Sequence, residues 1–155
     1  MPALPRFHPA LFELLADEAP RVGSEAEPRR QVDRAALLES VRVELERLLG
    51  SRRDSQPRLT PLSVIDYGVP DWSALHADRG ADREQLARGI RQAILAFEPR
   101  LRRPEVDAEA VAGKRQTLKV DIRGELAIEG ECWPVAFVAR LGEGGAGLAV
   151  EEGEP

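Results

Sequence analysis

The sequence has a single cysteine, Cys132, only two histidines, His8 and His76, and few aromatic residues, 5% of its 155 positions. One cysteine cannot close an intramolecular disulfide, and such usage suits a reducing compartment. One cysteine and two histidines also leave little material for a zinc site. Scarce aromatics disfavour base stacking and the platforms of sugar clefts. No apolar run approaches the roughly 20 residues of a helical membrane span. Positive charge is not in excess either. The formal charge of −5 disfavours nucleic acid or an anionic membrane as the main partner. The first residues, MPALPRFHPALFELLADE, hold one arginine followed closely by acidic groups, with neither an apolar h-region nor a cleavage site. These absences predict a soluble, cytoplasmic protein with no cofactor.

What remains is enough for one domain, which at this length buries roughly 70% of its unfolded surface. The chain divides into a lead segment and linker (1–31), a folded domain (32–151) and an acidic tail (152–155). Within the lead, Leu11, Phe12, Leu14 and Leu15 predict a short helix over 9–18, marginal unless its apolar face is packed. Residues 19–31 are rich in Pro, Gly, Ser and charge and read as a flexible linker.

Asp33 is a good N-cap, with Val32 placed to contact Leu37 as a hydrophobic staple. Leu38, Val41, Leu45, Leu48 and Leu49 then recur at helical spacing until Gly50 supplies a stop. Residues 59–80, with Tyr67 and Trp72 among prolines and glycines, predict loop and short turns, partly buried through Leu62, Val64 and Ile65. A second helix is expected from about Asp82, with Gln85 completing a capping box. Leu86, Ile90, Ala93, Ile94 and Phe97 form its apolar stripe, and Pro99 ends it.

Beyond Pro104 the period becomes two. Leu118, Val120 and Ile122 alternate with Lys119, Asp121 and Arg123, and Leu126 and Ile128 keep the parity past Gly124, which suggests a bulge there. Gly130 marks a turn. Val135, Phe137, Ala139 and Leu141 predict the next strand, 148–150 a last short one, and 106–111 a weaker one. The expected fold is α+β: two main helices packed on a small antiparallel β-sheet of meander type, with a short N-terminal helix on a flexible linker.

Several motifs invite chemistry. The glycine-rich loop 142–147 lacks a following helix, so a hairpin turn suits it better than a phosphate cradle. Cys132 has no histidine nearby in sequence and reads as a small core or half-buried residue. His8 and His76 read as solvated side chains. Glu98, Asp66 and Asp71 are conceivable partners in a two-carboxylate glycosidase. Acidic residues are abundant here, however, and the scarce aromatics weaken a sugar cleft. Glu98 is odd in another respect: it sits at a helix C-terminus, against the macrodipole. Either Arg100, Arg102 or Arg103 satisfies it locally, or Glu98 and Arg100 form charge-assisted hydrogen bonds to another chain from a proline-braced corner. Periodicity leaves both readings open.

Three segments in order carry a resemblance. They are Phe97-Glu98-Pro99-Arg100-Leu101; the stretch 63–71, SVIDYGVPD, with Tyr67 and Gly68; and the leucine-rich lead followed by VRVELERLLGSRR at 41–53. Gly50 and Ser51 stand where asparagine and threonine are usual. Together these segments resemble the phage-baseplate lysozyme-like wedge proteins, and the leucine-rich lead favours the type VI secretion (TssE) branch of that family. The resemblance implies a non-enzymatic subunit of a baseplate docked on an inner-membrane complex. Its implied partners are other wedge subunits, of TssF, TssG and TssK type, and contractile sheath subunits, of TssB and TssC type. It further implies that Glu98, Pro99, Arg100 and Leu101, with Tyr67 and Gly68, contact partners. A sheet edge would template the sheath by strand addition. The candidate edges are the last strand, with Leu148 and Val150, and the weak strand at 106–111. A peptidoglycan-type glycosidase and a baseplate protein of a phage or other contractile tail are the alternatives.

Overall fold

A computed structural model describes residues 34–54, 58, 60–114, 117–128, 131–142 and 150–153. The expected lead helix, its linker, the Asp33 cap, Gly130 and Leu148 lie outside the described residues. Helix α1 spans Arg34–Gly50 and helix α2 spans Gly80–Phe97. Between them lie strand β1 (Arg52–Arg53), a 3-10 turn (Val64–Asp66) and strand β2 (Val69–Pro70). Strands β3 (Leu101–Ala110), β4 (Leu118–Ile128), β5 (Glu131–Leu141) and β6 (Val150–Gly153) follow. The last four form one antiparallel sheet in the order β3-β4-β5-β6, the expected meander. The architecture is α+β, two helices against a small antiparallel sheet.

Period and burial agree closely. α1 buries Leu37, Val41, Leu45, Leu48 and Leu49, and α2 buries Leu86, Ile90, Ala93 and Ile94. Val120, Ile122 and Leu126 of β4 and Phe137, Ala139 and Leu141 of β5 face the same core. Each fully buried Leu, Ile or Phe contributes roughly 1.5–3 kcal/mol of transfer free energy. α2 runs along β3, while α1 approaches α2 and β6.

Four local expectations are corrected. α2 starts at Gly80 with Arg79 at its cap, so Asp82 is not the N-cap; its carboxylate instead accepts the His76 N–H at 2.8 Å. Val64 and Ile65 are exposed, at 74% and 59%, because the 3-10 turn aims them outward while Asp66 turns in. Cys132 is exposed, since it stands on the outward parity of β5. The bulge lies opposite Gly124 rather than at it. Leu101↔Leu126 and Arg102↔Glu125 are followed by Glu105↔Arg123, so Arg103 and Pro104 of β3 share one partner. A Cβ on Gly124 would stand 2.7 Å from Leu101 Cδ1 and 2.9 Å from the Arg102 carbonyl oxygen.

Two strand boundaries also moved. β3 begins at Leu101, well before residue 106, because Arg103 takes φ +49° and carries the strand around Pro104. The short parallel bridge β1–β2, with Arg52↔Val69 and Arg53↔Pro70, had no sequence signal, since two residues show no period. β6 ends at Gly153, so it reaches into the segment assigned to the tail.

Candidate partner-binding site

The chain leaves α2 through a tight corner. The Glu98 N–H donates to the Ile94 carbonyl at 2.8 Å, and the Leu101 N–H returns to the Glu98 carbonyl at 3.2 Å. Pro99 cannot continue the helix and stands exposed at the tip, while Leu101 starts β3 as a buried anchor. Glu98 itself is 1% exposed. Arg100 answers it with a fork: Nε donates to Oε1 at 2.8 Å and Nη2 to Oε2 at 2.7 Å. The Arg100 backbone N–H adds a bond to Oε1 at 3.2 Å. Its third nitrogen, Nη1, donates to Ser40 Oγ of α1 at 2.9 Å, tying the corner to the other helix. Of the two readings left open above, local pairing is the one observed. The guanidinium also supplies the cation that the helix C-terminus favours.

Tyr67, at the end of the 3-10 turn, joins this region. Its ring lies 5.1 Å from the Phe97 ring at a 60° tilt, and its hydroxyl donates to Glu44 Oε1 at 3.0 Å. Glu44 is buried in α1, and its second oxygen lies 3.5 Å from Arg47 Nη1. Burial first, then the Glu44 hydrogen bond and the negative charges of Glu44 and Glu98, push the Tyr67 phenol well above its ordinary pKa. The backbone reverses at Gly68, where φ is +111°, and a Cβ there would stand 2.5 Å from the Ser51 carbonyl oxygen. That close approach lets Val69 N–H reach the same oxygen at 2.9 Å.

Tyr67 therefore packs on the end of α2 just before 98–101, with Gly68 next to it in sequence against Ser51, and Glu98, Leu101 and Gly68 are buried. Ser40 and Glu44 were missed. Glu44 had a readable signal, because it falls on the buried spacing Leu37, Val41, Glu44, Leu48, where a charge needs a partner. The other candidates lie apart. Val150 opens β6 at the far edge of the sheet, opposite the edge strand β3.

The carboxylates considered for catalysis are all engaged. Asp66, 2% exposed, accepts the Arg58 N–H at 2.6 Å and the Ser63 N–H at 3.4 Å. Asp71 accepts the Ser73 N–H and hydroxyl, each at 3.0 Å, which holds its carboxyl below the ordinary range. Among the described residues no group of three or more His, Cys, Asp or Glu is placed to hold a metal, and no helix is long and apolar enough to cross a membrane.

Two helices on an antiparallel meander, joined at the corner where Arg100 pairs with the buried Glu98, define an α+β domain. The family described as baseplate wedge protein gp25 matches residues 35–131, more than half the sequence. The chain belongs to that baseplate wedge family of contractile tails. No curated protein matches it.

Proposed function

We propose that the chain is a non-enzymatic, TssE-type wedge subunit of a type VI secretion baseplate, which links the wedge to the contractile sheath by β-strand addition. Family membership together with a sheet whose two edge strands, β3 and β6, are unpaired among the described residues supports this reading. Strand addition uses unpaired backbone groups for affinity and alternating side chains for register. β3 is the favoured edge. It is ten residues long against four in β6, and a groove of about 460 Å³ lies beside it between α2 and Val106, Asp107 and Ala108. The edge containing Val150, with Leu148 ahead of it, is the second candidate.

The exposed tip at Pro99, backed by the Glu98–Arg100 pair and by Tyr67 and Gly68, is the proposed contact for other wedge subunits of TssF, TssG and TssK type. The sheath partners would be of TssB and TssC type. The proposed setting is the cytoplasm, in a baseplate docked on the inner-membrane complex. Residues 32–151, together with the end of β6 to Gly153, form the proposed wedge domain, with 1–31 as its lead and 154–155 as its tail. The engagement of Glu98, Asp66 and Asp71 supports the non-enzymatic assignment over a glycosidase.

Cysteine crosslinking tests the edge. In a Cys132→Ser background, Asp107→Cys should crosslink to sheath subunits in assembled baseplates, and Glu151→Cys should not. The reverse pattern moves the junction to β6, and no sheath crosslink from either removes the strand-addition reading. A muramidase assay tests the other class: turnover lost in a folded Glu98→Gln variant would overturn the structural assignment.

A further inference from the structure

Four charged residues are buried among the described residues: Glu44, Arg53, Asp66 and Glu98. The three carboxylates each have a partner of their own, as described above; Glu44 Oε2 accepts no hydrogen bond but has the Arg47 guanidinium 3.5 Å away. Arg53, 9% exposed, is different. Its Nη1 donates to the Asp54 carbonyl at 3.2 Å, its Nε is buried without any hydrogen-bond partner, and among the described residues it has no ion pair. A buried cation left in this state costs several kcal/mol, so its retention calls for an anion from elsewhere.

The surroundings supply a place for one. Arg53 is drawn inward by the β1–β2 bridge, where the Asp71 N–H donates to its carbonyl at 3.0 Å. Its side chain lines a cavity of about 220 Å³ between that bridge and α2, with Gln85, Arg88 and Gln92 of the helix, Pro70 and Asp71 on its walls. We propose that this cavity receives a carboxylate presented by another polypeptide, an Asp or Glu side chain gripped by the Arg53 guanidinium. The planar fork matches a carboxylate, and the glutamine amides can donate to the remaining lone pairs. The buried setting makes the charge-assisted bond stronger than one at the surface. The proposal concerns this cavity alone and stands whether or not the sheath assignment holds.

Nuclear magnetic resonance on the full chain tests it, through the Arg53 Nε–H signal. The probes are the peptide acetyl-Gly-Ser-Glu-Ser-Gly-amide, its Gln counterpart, sodium chloride and sodium phosphate. The Glu peptide should move the Arg53 signal saturably while the Gln peptide and chloride leave it in place. Arg53→Met should weaken Glu-peptide binding, followed at the Gln85 and Gln92 side-chain amides, by about tenfold or more, and Arg53→Lys should lose the part owed to the fork. An Arg53 signal indifferent to the Glu peptide, or moved equally by the Gln peptide or chloride, overturns the proposal. A phosphate response stronger than the peptide's overturns the carboxylate assignment, and undiminished binding by Arg53→Met overturns the role of Arg53.

Discussion

Arg100 holds both carboxylate oxygens of Glu98, at 2.8 and 2.7 Å, across the exposed Pro99. A bidentate pair between residues so close in sequence makes the corner a closed ring of chain. Because Glu98 is 1% exposed, the ring is rigid without being an open charged surface. Under the proposed function, what the corner offers a partner is its proline tip and the shape that the pair imposes.

Arg100→Ala should destabilise the fold by about 3–5 kcal/mol, since it strands a buried carboxylate. Replacing both members, as Glu98→Leu with Arg100→Met, should recover much of that loss. Urea unfolding of the singles and the double gives the coupling. Additive single effects would mean that the pair is not energetically joined.

Tyr67 ties the 3-10 turn to α1 through Glu44. Tyr67→Phe should cost about 1–3 kcal/mol, because the buried Glu44 acceptor loses its donor. Thermal melts with and without the substitution measure this directly.

The same tyrosine predicts an alkaline limit. Its folded pKa is raised, so its protonated form is favoured in the folded state. That contribution is fully present below the unfolded tyrosine value of about 10 and is lost as pH climbs toward the folded value. Stability should therefore fall as pH rises above about 10, and Tyr67→Phe should flatten that slope. An identical slope in the variant would show that other groups set the limit.

Gly68→Ala should destabilise the chain by more than 1 kcal/mol, since φ is +111° and the added Cβ would meet the Ser51 carbonyl oxygen. Denaturant midpoints test this. A loss in β1–β2 protection from amide exchange should accompany it, because that carbonyl accepts the Val69 N–H.

The helices and the sheet were legible because their periods are long enough to count. Leu86, Ile90, Ala93 and Ile94 repeat at helical spacing, and Leu118, Val120 and Ile122 alternate. The β1–β2 bridge was not legible, because a two-residue strand has no period. The start of β3 was hidden behind Pro104, where a positive φ at Arg103 keeps the strand going. At the corner, Glu98 and Arg100 were visible as a pair, but proximity in sequence could not say whether they face inward or outward. Ser40 and Glu44 reach the corner by tertiary packing, and only the charge at Glu44 within an apolar stripe hinted at it.

Sheath polymerisation in living cells tests the assignment most directly. Cells lacking the chain should assemble few or no sheaths, wild-type chain should restore them, and a chain whose β3 edge is capped by crosslinking should not. Sheaths formed normally in the chain's absence would contradict the account.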